Sequence, residues 1–313
     1  MKKTDYIFQV DPPVAWYSLI FLILIFGGGL FIGQFLGLFL SFLIQGMTLT
    51  ELASLLSPPL SPDKRLPLLL IQGFGTLGGF IIGGIIYLNI VEKFSPQHLF
   101  STRNVTIYSL LITGVMVISF MFVNTVFIEW NANVSFPDFM RNFETWAMEK
   151  EEELKHVTEF LTDFDSPGQF ILGFVVIAIL PAVGEELIFR GIIQNKLFAY
   201  IKNIHLAIWI SAILFSGFHI QFYGFVPRLL LGGLFGYMYA WSKNLWYPII
   251  GHFINNGFTL LMLYLYQIGS ININIEEEEA YPGSVIIVFA MICIYMMISF
   301  RRKVQNRIEN EKG

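Results

Sequence analysis

Apolar runs long enough to cross a bilayer recur along this chain and leave it few other ways to fold. A hydrocarbon core of roughly 30 Å takes about 20 residues of helix to cross. Only helices and closed barrels satisfy every backbone polar group there. Such runs lie at Trp16 to Ile44, Leu66 to Val91, Val105 to Ile128, Gln169 to Val183, His205 to Ile220, Phe225 to Trp241, Leu245 to Tyr266 and Val285 to Phe300. Their lengths predict an all-α polytopic membrane protein with about eight transmembrane helices. Charged residues make up 13% of the chain, against roughly 25% in soluble domains, and they crowd into the connections.

The first run exceeds the apolar region of a cleavable signal, roughly 7 to 15 residues, and no small-residue cleavage site follows it, so it is expected to stay in the mature protein. Lys and Arg set the orientation. With the N-terminus inside, Lys2, Lys3, Lys93, Arg103, Lys196, Lys202, Lys243 and the tail residues Arg301, Arg302, Lys303, Arg307 and Lys312 share one side. Lys64, Arg65, Arg141, Lys150, Lys155 and Arg228 fall on the other. That asymmetry predicts a multi-pass protein of the plasma (inner) membrane with both termini cytoplasmic. The net charge is only −4, so the basic tail reads as a topology anchor and no nucleic-acid partner is expected. The single cysteine, Cys293, lies in the last run and offers neither a disulfide nor a cysteine metal site.

The chain divides into N-terminal spans over 1–135, an interfacial connection over 136–168, a core over 169–270, and a last span with basic tail over 271–313. Within the connection, Asp138 to Phe164 places Phe139, Phe143, Trp146, Leu154, Val157 and Leu161 at helical spacing, which predicts an amphipathic surface helix able to act as a lid. Gly29, Gly33 and Gly37, then Gly75, Gly79 and Gly83, recur every four residues and predict close helix packing, as do Gly232 and Gly236. Glu276 to Glu279 reads as a solvated acidic connection.

Against that apolar background one group of ionisable residues stands out. Glu185, Glu186 and Arg190 are followed on later runs by Phe215 with His219 and by His252 with Asn256. A charge at membrane depth costs at least a few kcal/mol, so a cluster of them implies function. Glu186 and Arg190 are spaced i, i+4 with the acid first, the favourable order for a pair on one helix face. Glu185 lies about 100° around the helix and is left for chemistry. The same spacing lets His252 and Asn256 enter one cavity and lets Phe215 screen His219 from lipid. A carboxylate and an imidazole can polarise a water while a second imidazole and a carboxamide stabilise an oxyanion, the parts needed to hydrolyse an amide. An acid balanced between burial and basic neighbours suits general-base catalysis, so activity is expected to rise with pH through one ionisation of Glu185.

Other readings of the same residues exist. A structural ion pair explains Glu186 and Arg190 and strands Glu185. Two histidines and a glutamate are also a zinc set, although zinc hydrolases usually carry His-x-x-x-His on one helix, whereas His252 is followed by Asn256. A proton-coupled carrier would use Glu and His too, but inverted repeats are not evident, and the cluster lies in one half of the chain. A non-catalytic immunity-type protein is a further alternative. His98, His156 and His205 lack partners in the sequence and are left aside.

Glu-Glu-x-x-x-Arg, then Phe-x-x-x-His, then His-x-x-x-Asn, in that order on separate spans, resembles the CPBP intramembrane endopeptidases, which include the type II CAAX prenyl endopeptidases and bacterial members linked to bacteriocin immunity. The resemblance covers roughly Phe170 to Gly269. It implies a glutamic intramembrane protease that needs no metal or other cofactor and acts on a membrane-associated or lipidated peptide or protein within the lipid bilayer. Carried onto matching positions, it makes Glu185 the general base, His219 a holder of the water, His252 and Asn256 the oxyanion hole, and Glu186 with Arg190 the brace.

One difficulty follows from the spans. His252 falls near the start of its run and His219 near the far end of another, so the fourth and fifth helices must be tilted, displaced or broken near Pro181 and Gly184. A polar catalytic cavity is expected among the helices of the C-terminal half, opening to the cytoplasmic side where the termini lie.

Overall fold

A computed structural model describes residues 17–55, 60–101, 105–272 and 281–310. Lys2, Lys3, Arg103, Lys312 and the acidic stretch Glu276 to Glu279 lie outside the described residues, as does the side chain of Arg307. Among the described residues, nine principal helices form a polytopic all-α bundle: α1 (Ser18–Gln45), α2 (Pro62–Val91), α3 (Ile107–Ala132), α4 (Arg141–Thr162), α5 (Pro167–Ile201), α6 (Ile204–Phe218), α7 (Phe225–Ser242), α8 (Trp246–Gln267) and α9 (Gly283–Asn306). Among the described residues, six of these, α1, α2, α3, α5, α8 and α9, are long and apolar enough to cross a membrane. The expected count of eight is not confirmed: α6 and α7 occupy two of the expected positions without meeting that measure. The lipid-facing character is plain on α1, where Phe31, Phe35 and Phe39 are 50–70% exposed.

The glycine ladders pack α1 on α2. A Cβ on Gly29, Gly33 or Gly37 would run into the backbone of Gly78, Phe74 or Leu70. Small residues make this approach possible, and dispersion between the two backbones takes over from the hydrophobic effect that lipid cannot supply.

Two charges counted from sequence as loop anchors are instead buried. Lys196 on α5 pairs with Glu92 after α2, both 2% exposed, and Tyr87 donates to the same carboxylate at 2.5 Å. Arg65 is 3% exposed; it meets Asp165 at 2.6 Å and Asp163 at 3.2 Å and donates to the Phe160 carbonyl. Each is held because its partner comes from another helix or loop, which local charge counting cannot register. The second clamp fixes the end of α4 beside the starts of α2 and α5.

The start of α1 and the end of α9 lie at one end of the bundle. Ser18 reaches Tyr87 at the end of α2, and Phe300 packs on Tyr247 at the start of α8. α4 closes the opposite end, as an amphipathic helix in the expected place. Its buried positions are Ala147, Leu161 and Thr162, and Phe139 and Trp146, counted on its apolar face, are 85% and 44% exposed.

α5 departs most from expectation. The sequence ended the fourth span at Val183, but the helix continues to Ile201, carrying Glu185, Glu186 and Arg190 in its middle. It is not broken at Pro181 or Gly184. Hydrogen bonding widens to the i+5 pattern over Phe174–Ile179 and again over Leu187–Gln194, an adjustment that absorbs a proline without ending the helix and is frequent at functional sites. The apolar run looked shorter because the charged motif interrupts it.

Candidate active site

Glu186, 0% exposed, organises the cluster. Its Oε1 accepts from Arg190 Nη1 at 2.6 Å and from His252 Nδ1 at 2.9 Å. Arg190 is spread over Phe215 and Phe235, 4.6 and 5.6 Å from the ring centroids, and donates through Nη2 to the Gly232 carbonyl at 3.0 Å. Such a charge is tolerable in an apolar interior because its donors are matched and its faces lie against aromatic rings. His252 is stacked on Phe235 with centroids 5.4 Å apart, which sets the plane of the imidazole.

With Nδ1 given to a carboxylate, the other ring nitrogen of His252 is turned toward Glu185. Nε2 stands 3.9 Å from Glu185 Oε2, too far for a direct hydrogen bond and suited to a shared water. Glu185 retains 13% side-chain exposure, so the two neighbouring carboxylates have different surroundings: Glu186 is buried with Oε1 shared by two donors and Oε2 without a partner, and Glu185 faces a gap.

His219 caps the C-terminal end of α6. Its Nδ1 lies 3.0 Å from the Phe215 carbonyl; a carbonyl only accepts, so Nδ1 carries the proton and Nε2 is the free acceptor of the neutral ring. Phe215 stands between the two imidazoles, with centroids 5.2 Å from His219 and 6.0 Å from His252. The depth problem is solved by the length of α6. Its 15 residues rise about 22 Å, less than the roughly 30 Å core, so its end falls short of the far surface.

Asn256, one turn beyond His252, donates through Nδ2 to the Ile177 carbonyl at 3.3 Å and accepts from Asn255 Nδ2 at 3.0 Å. Ile177 lies four residues before Pro181, which has no N–H to offer it. One N–H of Asn256 is thus engaged with the backbone of α5, and a second remains on the amide nitrogen.

The loop that follows His219 is held from outside the cluster. Ile220 adopts φ +54°, a conformation that costs a β-branched residue about 1–3 kcal/mol and persists only under external restraint. Arg228 donates to the side chain and carbonyl of Gln221 at 3.1 and 2.9 Å. Glu151 on α4 accepts from Gln221 Nε2 and the Tyr223 N–H at 3.0 and 3.2 Å.

Sequence reasoning missed Glu151, Gln221, Arg228, Phe235 and Asn255 in these roles. Phe235 shares a helix face with Gly232 and could have been suspected from that spacing. Glu151 is 70 residues from Gln221 and carries no local signal.

A cavity of about 1220 Å³ lies between α3, α4, α7 and α8. It lies at the α4 end, opposite the end where α1 begins and α9 finishes. Arg228 and Asn255 line the cavity; Glu185, His219, His252 and Asn256 are not among its lining residues. Among the described residues, no three His, Cys, Asp or Glu side chains gather as a metal set.

Fold and site together define a multi-pass helical membrane protein with a buried carboxylate, imidazole and guanidinium cluster. Residues 167–258, which contain all seven predicted site residues, match the family model described as type II CAAX prenyl endopeptidase Rce1-like. The chain is 33% identical over 91 residues to the membrane-embedded CAAX protease MroQ of Staphylococcus aureus, covering 27% of this chain and 36% of that protein. It is 29% identical over 84 residues to the uncharacterized protein YpbD of Bacillus subtilis, covering 26% of this chain and 40% of that one. The matches thus span well under half the length of these curated relatives. No solved structure matches.

Proposed function

We propose that the chain is an intramembrane endopeptidase that hydrolyses a peptide bond of a membrane-associated or lipidated substrate. The observation that carries this reading is the division of labour between adjacent carboxylates: Glu186 is spent on Arg190 and His252, while Glu185 faces His252 Nε2 across a water-sized gap. In a structural ion-pair network Glu185 would have no purpose, and its burial would only cost stability. The matched segment and the similarity to a membrane-embedded CAAX protease support the same reading.

In the proposed cycle Glu185 takes a proton from a water oriented by His219 Nε2, and the resulting hydroxide adds to the scissile carbonyl. Because Nδ1 is committed to Glu186, His252 can donate from Nε2 only with both ring nitrogens protonated. That N–H and the remaining N–H of Asn256 would receive the oxyanion. Glu185 then returns its proton to the leaving amine as the C–N bond breaks. Each step uses side chains of the chain itself, and we propose a metal-free reaction.

The test is a comparison of peptide ends in membranes that hold wild type or Glu185→Gln. New ends restricted to wild type support the reading and identify the substrate. Identical peptide ends in both would overturn it.

A further inference from the structure

The cavity beneath α4 has a composition that the hydrolytic cluster does not explain. Its deeper wall is apolar and compliant, with Met121, Phe258 and Met262; methionine adapts to varied partners. Its roof is acidic. Glu151, Glu152 and Glu159 line it from α4. Glu151 is committed to the loop after His219, whereas the side chains of Glu152 and Glu159 are 77% and 43% exposed, with His156 between them at 3.7 and 3.6 Å. Lys155 and Arg228 are the basic lining residues, and Arg228 is engaged with Gln221. Burial, Glu144 and Glu151 together raise the Tyr223 phenol above its ordinary value, as expected beside a negative roof.

Two buried polar atoms on the same wall have no partner. Asn124, 8% exposed, gives Nδ2 to the Pro227 carbonyl, which fixes its orientation and leaves Oδ1 unsatisfied. Arg228 Nε is likewise unsatisfied. One acceptor and one donor, left unmatched at a cost of about 1–3 kcal/mol each, lie just behind the lining, where a small shift of the Asn124 and Arg228 side chains would turn them to a peptide backbone. The cavity adjoins the cluster: its lining residue Asn255 donates to Asn256, and its lining residue Leu231 precedes Gly232, the acceptor for Arg190.

We propose that this cavity is the substrate-entry site and that it selects an extended peptide whose apolar stretch is followed by lysine or arginine, the apolar part against α3 and α8 and the basic part under α4. The proposal rests on the hydrolase reading for the word substrate, and on the cavity alone for the binding preference. Binding is therefore measured on full-length Glu185→Gln protein in nanodiscs, where no cleavage intervenes. The probes are fluorescein-labelled Leu/Ala-rich peptides ending in two lysines or in two glutamates.

The lysine peptide should bind about tenfold more tightly than the glutamate peptide at low salt. Combined Glu152→Gln and Glu159→Gln should shrink that preference by about threefold or more, the scale expected for two exposed charges. Equal binding of the two peptides, or a preference untouched by the double substitution, would overturn the proposal. Cleavage by wild type is read separately: cleavage without charge preference removes this inference and keeps the hydrolase, and charge preference without cleavage does the reverse.

Discussion

His252 donates through Nδ1 to Glu186 at 2.9 Å, and that bond rather than a contact with Glu185 fixes the imidazole. Glu186 therefore serves two cations or potential cations at once, since the same Oε1 also receives Arg190. The second acid of the Glu-Glu pair is the keystone of the buried cluster, and the first is the one with room beside it.

Removal of one partner from that buried set should show which role is structural. Arg190→Met leaves the buried Glu186 without its cation and with His252 as its one remaining partner, a loss of about 3–5 kcal/mol. Glu185→Gln, at a side chain that keeps some exposure, should change stability by less than about 1 kcal/mol. Thermal unfolding of the two variants in the same detergent compares them directly.

Glu186→Gln should retain the fold better than Glu186→Ala yet lower activity by about 10²-fold to 10³-fold, the range for loss of one oxyanion donor. A neutral amide can accept from Nδ1 but cannot stabilise the imidazolium. Rates measured at matched amounts of folded protein check this.

The clamp on the His219 loop predicts an effect at a distance. Glu151→Ala removes the acceptor for Gln221 and Tyr223 and should lower kcat about tenfold, because a small misplacement of a catalytic group is expensive. Glu151→Gln, which still offers one acceptor, should recover part of that rate. Ile220→Asn relieves the positive φ and should raise stability by up to about 1 kcal/mol.

Backbone contact between α1 and α2 leaves no room for a side chain. Gly33→Leu would drive its Cβ into the Phe74 carbonyl and should cost at least about 1–3 kcal/mol. A matched substitution at Gly28, where nothing lies within 4 Å of the added Cβ, should be tolerated. Unfolding midpoints of the pair separate packing from loss of glycine itself.

Much of this molecule is legible in its sequence because membrane constraints are severe. The apolar runs locate the helices, and four-residue glycine spacing locates the contact of α1 with α2. Spacing of i, i+4 also pairs Glu186 with Arg190 and places Phe215 beside His219. What escapes is whatever depends on partners distant in the chain. Lys196 and Arg65 count as loop charges until Glu92 and Asp165 are seen beside them. Asn256 reads as an oxyanion donor with both N–H groups available, until the carbonyl that Pro181 cannot serve is found to take one of them. The opening of the cavity is a property of α4 folding back over α7 and α8, which no window of sequence contains.

The central claim is that Glu185 activates water for peptide hydrolysis. The most direct measurement uses purified protein in nanodiscs, a quenched fluorescent membrane peptide, and the variants Glu185→Gln and Glu185→Asp. Wild type should release fluorescence, Glu185→Gln should abolish the signal while keeping the wild-type unfolding midpoint, and Glu185→Asp should retain a small fraction. Equal cleavage by wild type and Glu185→Gln, both folded, would contradict the account.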